Sequence, residues 1–143
     1  MPKSRRVRQI RAFTVFFEQT YRSAGAAEKL INQIKRRGNL RKNLKDAGKV
    51  NRLQQAHHVI PVETVMQSRL VQKAVLEGFE INGVQNGIAL SIAQHKRRHT
   101  ELASYNRYVL QELFVLEEKF PNCTRATAKR EVEKLLKVLV QGF

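Results

Sequence analysis

All four histidines of this 143-residue chain fall within 43 residues: the adjacent pair His57-His58, then His95 and His99 spaced as H-x3-H. Neutral imidazole is a preferred ligand for transition metals, and residues four apart share one helix face, so the grouping reads most simply as a metal site. Hydrolysis of a phosphodiester needs a base to activate water and a cation to balance charge on the transition state and the departing oxygen. Neighbouring histidines on an extended segment point to opposite sides, so one of the pair can hold metal while the other faces substrate. An H-x3-H pair on a helix then adds two ligands, giving three nitrogens with open positions, as in catalytic rather than closed structural sites. A structural zinc site without catalysis is the competing reading of the same four residues.

The flanking residues carry weaker signals. Asn86 and Asn82 each precede a glycine, and Asn-Gly is by itself an ordinary turn. Lys96, Arg97 and Arg98 lie between the helical histidines, as phosphate-binding groups or as a solvated basic face. Glu63, five residues after His58, either brings a carboxylate to the site or favours the start of a helix through its dipole, the second being preferred. Tyr105 and Phe79 read as core, and Cys123 carries no functional signal.

Those groups need a scaffold, and the chain predicts a mainly α one with a small β-hairpin. Phe13, Phe17, Tyr21 and Ala24 recur at helical steps after Ile10, behind Arg5, Arg6, Arg8 and Arg11. Further helices are expected from Ala26 to Arg37, from Leu40 to Ala47, and from Val62 to Glu77, the last with Val62, Met66, Leu70 and Ala74 on one face. Gly38, Gly48 and Gly78 are placed to end them. Between Phe79 and Leu90, Asn82-Gly83 and Asn86-Gly87 point to turns flanking short extended segments. The helical period returns from Ser91 to Phe120-Pro121, and a last helix follows Thr124, an N-cap, to about Val140.

Lys and Arg outnumber Asp and Glu by 27 to 12, a net charge of +15. Residues 1 to 50 hold fourteen basic and three acidic side chains, a net +11, leaving +4 for the rest. Such an excess favours polyanions through counterion release, nucleic acid first, with acidic membrane or protein surfaces as the alternative. No apolar run approaches the roughly 18 residues of a membrane span, so a soluble chain without membrane insertion is expected. The basic, interrupted N-terminus does not read as a signal peptide. A single cysteine excludes an internal disulfide and a thiolate metal cluster.

The run Gln55-Ala56-His57-His58-Val59-Ile60-Pro61 resembles the signature of the AHH family, a branch of the HNH and endonuclease VII (His-Me finger) nucleases. The likeness continues through Gly78-Phe79-Glu80-Ile81-Asn82, Asn86-Gly87-Ile88-Ala89-Leu90, His95-x3-His99 and Tyr105-Asn106 with Val109. It covers about residues 40 to 140, after a basic helical segment, 1 to 39, ahead of a nuclease domain at 40 to 143. The N-x8-H-x3-H spacing from Asn86 is also similar to that of colicin-type HNH domains, with a longer interval after His58 that houses an extra helix. Lys96-Arg97-Arg98 and Thr100 depart from the small residue and the proline often found there.

The resemblance implies a ββα-metal core. In it His57, His95 and His99 would ligate one divalent ion (Zn, Ni, Mg or Mn), His58 would be the general base, and Asn86, favoured over the second candidate Asn82 for its place in the motif, would orient His58 or its loop. It further implies an endonuclease acting on DNA, with RNA as the other substrate, and a bacterial toxin or effector with an acidic immunity protein as partner. Such a chain would be cytoplasmic in its producer and delivered by a specialised system into a target cell. The competing class is a zinc-stapled nucleic-acid-binding module without turnover.

Overall fold

A computed structural model describes residues 5–143, except the side chains of His95, Arg98, His99 and Thr100. Its order is α1 (Arg5–Tyr21), α2 (Ala24–Lys35), α3 (Asn39–Asp46), β1 (Gln54–His58), α4 (Thr64–Gln67), α5 (Arg69–Leu76), β2 (Gly87–Ser91), α6 (Ile92–Lys119) and α7 (Arg125–Val140). The fold is mainly helical with one two-stranded antiparallel sheet. No described helix is long and apolar enough to cross a membrane.

The helices start where side chains satisfy the free N–H groups of a first turn. Ser23 and Thr124 accept from Ala26 N and Thr127 N at 3.1 Å. At α6 the cap is reciprocal: Ser91 Oγ accepts from Gln94 N at 3.2 Å and Gln94 Oε1 from Ser91 N at 2.9 Å. The helix then runs unbroken through Lys96-Arg97-Arg98 and Thr100.

The single helix expected over Val62 to Glu77 is two. Ser68 adopts extended backbone (φ −118°, ψ 119°), and its hydroxyl caps α5 by accepting from Val71 N at 3.2 Å. Glu117 of α6 takes bonds from Ser68 Oγ and Leu70 N, both 3.0 Å, so a tertiary carboxylate makes up for the interrupted helical ladder. The α5 helix stops at Gly78, whose φ of +110° is open to glycine and strained for other residues.

One apolar cluster ties the elements together. It includes Phe17 of α1, Leu30 and Ile34 of α2, Val59 and Ile60 after β1, Val71 and Val75 of α5, Val109 and Leu113 of α6, and Val132 and Leu136 of α7. Phe79 belongs to it and Tyr105 packs against it. The loop that leaves the histidine pair is thus rooted in the core, which fixes the end of β1 against the helices.

Candidate active site

Antiparallel pairing sets Ala56 opposite Ala89, His57 opposite Ile88 and His58 opposite Gly87. Side chains alternate along a strand, so His57 and His58 leave β1 on opposite faces. The His57 ring lies toward α6, its centroid 5.6 Å from that of Tyr105 and 5.4 Å from that of Phe143. Helix α3 covers the other face. A Cβ on Gly87 would come within 2.6 Å of Leu40 Cδ1 and 3.0 Å of Leu44 Cδ1, so glycine here lets α3 approach the strand beside His58.

His58 is half-buried and held by a chain of amides. Its Nε2 lies 2.8 Å from Asn82 Oδ1, while Asn82 Nδ2 donates to Gln33 O of α2 at 2.9 Å. Because the Asn82 amide nitrogen is committed to a carbonyl, its oxygen faces the ring, and His58 Nε2 must carry the hydrogen. Nδ1 is then the basic nitrogen. Burial lowers the His58 pKa below its usual 6.5, and the Arg37 cation lowers it further against the raising effects of the Asn82 bond and Glu63. The neutral, proton-accepting form is the one the fold favours.

Asn86 is fully buried and serves a different purpose. Its Oδ1 accepts from Ile60 N at 2.8 Å, and its Nδ2 donates to Ile60 O at 2.9 Å and Ile81 O at 2.8 Å. Its backbone carbonyl also accepts from Val59 N at 2.8 Å. Asn86 therefore clamps the two residues after His58 and leaves the ring to Asn82. From the α6 side, the Tyr105 hydroxyl donates to Val59 O, fastening the same loop to the helix.

Glu63 stands at the N-cap of α4 without a side-chain capping bond, and its carboxylate accepts from Arg37 Nη2 at 2.7 Å. Lys96 and Arg97 are exposed in the first turns of α6, and Arg97 lines a cavity with Ile88, Leu90, Gln94, Glu101 and Phe143. His95 and His99 are in the same helix, but their side chains, and that of Arg98, lie outside the described residues.

Among the described residues no three His, Cys, Asp or Glu side chains gather to hold a metal. Imidazole nitrogens as a donor class fit a divalent ion, and the His57 ring lies on the side of the sheet where Tyr105 of α6 meets it.

A family model matches residues 29–141: a nuclease family of the HNH/ENDO VII superfamily with a conserved AHH, which stands here as Ala56-His57-His58. The chain belongs to that AHH family. Nuclease activity on nucleic acid follows in general terms, and nucleases of this superfamily generally use a divalent metal ion. No curated protein and no solved structure is significantly similar to the chain.

Two residues around the AHH triplet stand apart from the motif's favoured asparagine. Asn82, ranked behind Asn86, is the asparagine that meets His58; the Asn82-Gly83 turn was the available signal. Arg37 lies in the turn between α2 and α3, 21 positions before His58, and nothing in the local pattern marks it.

Proposed function

We propose that the chain is a metal-dependent endonuclease that hydrolyses phosphodiester bonds of DNA, with His58 as general base and His57, His95 and His99 holding one divalent ion. What carries the reading is the division of the AHH pair by β1: one imidazole toward α6, the other tethered through Nε2 with Nδ1 as its basic nitrogen.

His58 Nδ1 takes the proton of the attacking water, and the tether to Asn82 keeps the ring in one tautomer and one orientation throughout. The ion, when bound, supplies positive charge against the phosphate oxygens and the leaving 3′-oxygen. Asn86 and Tyr105 keep Val59 and Ile60 from shifting and so hold the end of β1 in register. Lys96, Arg97 and Arg98 contact phosphates beside the scissile one, and basic groups from the first fifty residues hold the backbone without reading sequence. Arg5, Arg6, Arg8 and Arg11 are all exposed along α1, as that task requires.

A toxin or effector role extends this reading, with an acidic immunity protein complementary to the net charge of +15. Incubation of the purified protein with plasmid DNA and with RNA tests the enzymatic core, with and without chelator and with added Mg²⁺, Mn²⁺, Ni²⁺ or Zn²⁺. DNA strand breaks that vanish on chelation and return with one of the metals are expected. Binding without cleavage under every metal would sink the proposal in favour of a zinc-stapled module.

A further inference from the structure

The Arg37–Glu63 pair lies beside the base without being needed to hold the fold. The two side chains meet at 2.7 Å with 46% and 40% of their surface exposed, and a pair so open contributes little to stability. Both groups nevertheless act electrostatically on His58. Their carriers converge on it: Glu63 sits five residues past His58, while Gln33, one helical turn before Arg37, is bonded to Asn82 and Ile81.

Among the described residues Glu63 is the only hydrogen-bond partner of Arg37, and it engages one edge of the guanidinium. Arginine presents five N–H donors in a rigid fork that matches phosphate, and 46% of the Arg37 side chain is exposed with one of those donors engaged by Glu63. Glu63 fixes the direction of a side chain that would otherwise sample many rotamers, at a place where its charge is felt by the His58 imidazole. A solvated surface cation has no reason to be aimed in this way.

Resting on the nuclease reading, we propose that Arg37 binds a backbone phosphate of the nucleic acid next to His58, and that Glu63 is the positioning residue that aims it. The phosphate so held is at or beside the one cleaved, on the face of β1 away from α6.

The test compares Arg37→Ala, Arg37→Lys and Glu63→Gln with Lys137→Ala, which removes an exposed charge on α7, in the full-length protein. Binding to a short DNA duplex is measured across salt concentrations in the His58→Ala background, where substrate survives. Cleavage is measured as kcat and KM in the otherwise unaltered chain, and thermal melting controls for folding. Loss of one phosphate contact lowers the slope of log K against log salt by about 1. Arg37→Ala should show that loss and Lys137→Ala should not.

Arg37→Ala should also lower kcat by about tenfold or more. Arg37→Lys should keep the salt slope but not kcat. Glu63→Gln should keep the slope and lower kcat several-fold. A slope and kcat for Arg37→Ala equal to those of Lys137→Ala overturn the phosphate contact while leaving the nuclease reading intact. An unchanged kcat in Glu63→Gln overturns the positioning role. If the unaltered chain never cleaves but Arg37→Ala still loses one unit of slope, the nuclease reading fails and the phosphate contact stands.

Discussion

The two faces of β1 are built from different materials. On the His58 face the ring meets polar groups with assigned directions: Asn82 on Nε2, Gln33 behind Asn82, and the Arg37–Glu63 pair close by. On the His57 face the ring meets Tyr105 and Phe143. A hydrogen bond settles which nitrogen carries a proton, whereas aromatic contacts settle where a ring sits and leave its nitrogens to other partners. The first surrounding suits a base, which must keep one tautomer; the second suits a ligand, which needs a lone pair at a fixed place.

The largest expected effect breaks this comparison directly. His58→Ala should reduce cleavage by about a hundredfold or more while metal still raises the melting temperature. His57→Ala should lose the metal-induced rise as well as cleavage. Calorimetric melting with and without metal, beside a plasmid assay, reads both variants. Equal loss of metal stabilisation in the two would erase the distinction between the faces.

The two asparagines sharpen it. Removing Asn86 strands Ile60 N, Ile60 O and Ile81 O in the interior, so Asn86→Ala should cost about 3 kcal/mol or more in chemical denaturation. Asn82→Ala leaves fewer buried groups without partners and should cost about 1 kcal/mol, yet lower kcat about tenfold by freeing the His58 ring. Similar stabilities for the two would show that Asn86 is no more a clamp than Asn82.

Much of this architecture was legible in the residues, for a physical reason. Helices advertise themselves by the period of their apolar face, and the AHH triplet, the asparagines and the H-x3-H pair carry the family resemblance that implies a ββα arrangement. What stayed hidden depends on contacts between elements distant in the chain. Ser68 breaks an apolar period that continues across it because Glu117 of α6 is there to receive the free donors. Glu63 looks like a helix-start carboxylate until the turn after α2 brings Arg37 within 2.7 Å. Asn86 looks like the partner of His58 because both belong to one motif, but the clamp it forms with Ile60 uses its whole amide.

Gly87 tests the packing behind the His58 face with a smaller change. A methyl group there must displace Leu40 and Leu44, whose side-chain ends stand 2.6 to 3.1 Å from the new Cβ. Both leucines are buried, each 1% exposed, so they cannot swing into solvent, and Gly87→Ala should cost about 1 to 2 kcal/mol by denaturation. A neutral result would mean that α3 yields freely, and that the backing of His58 is softer than that of His57.

Tyr21 lies away from both faces and gives the smallest effect, a control on whether stability measured at high pH reports the site or the helical core. Its hydroxyl donates to Gln72 Oε1 at 2.6 Å, and Gln72 Nε2 donates to Val65 O at 2.8 Å, a polar chain linking α1 to α5 and α4. Burial pushes the Tyr21 pKa up from 10.0 to about 12, only partly offset by Arg69 and Arg125. Between these values the unfolded chain releases the phenolic proton while the folded chain keeps it, so stability is fully present below pH 10.0 and falls as pH rises toward about 12. Tyr21→Phe lacks this proton. The variant should be less stable than the unaltered chain by about 1 kcal/mol near neutral pH, through the lost hydrogen bond, and the gap should close as pH climbs through that window. Parallel denaturation midpoints of the two proteins across the window would show that the phenol ionises as readily in the fold as outside it, and that the chain from Tyr21 to Val65 does not shelter it.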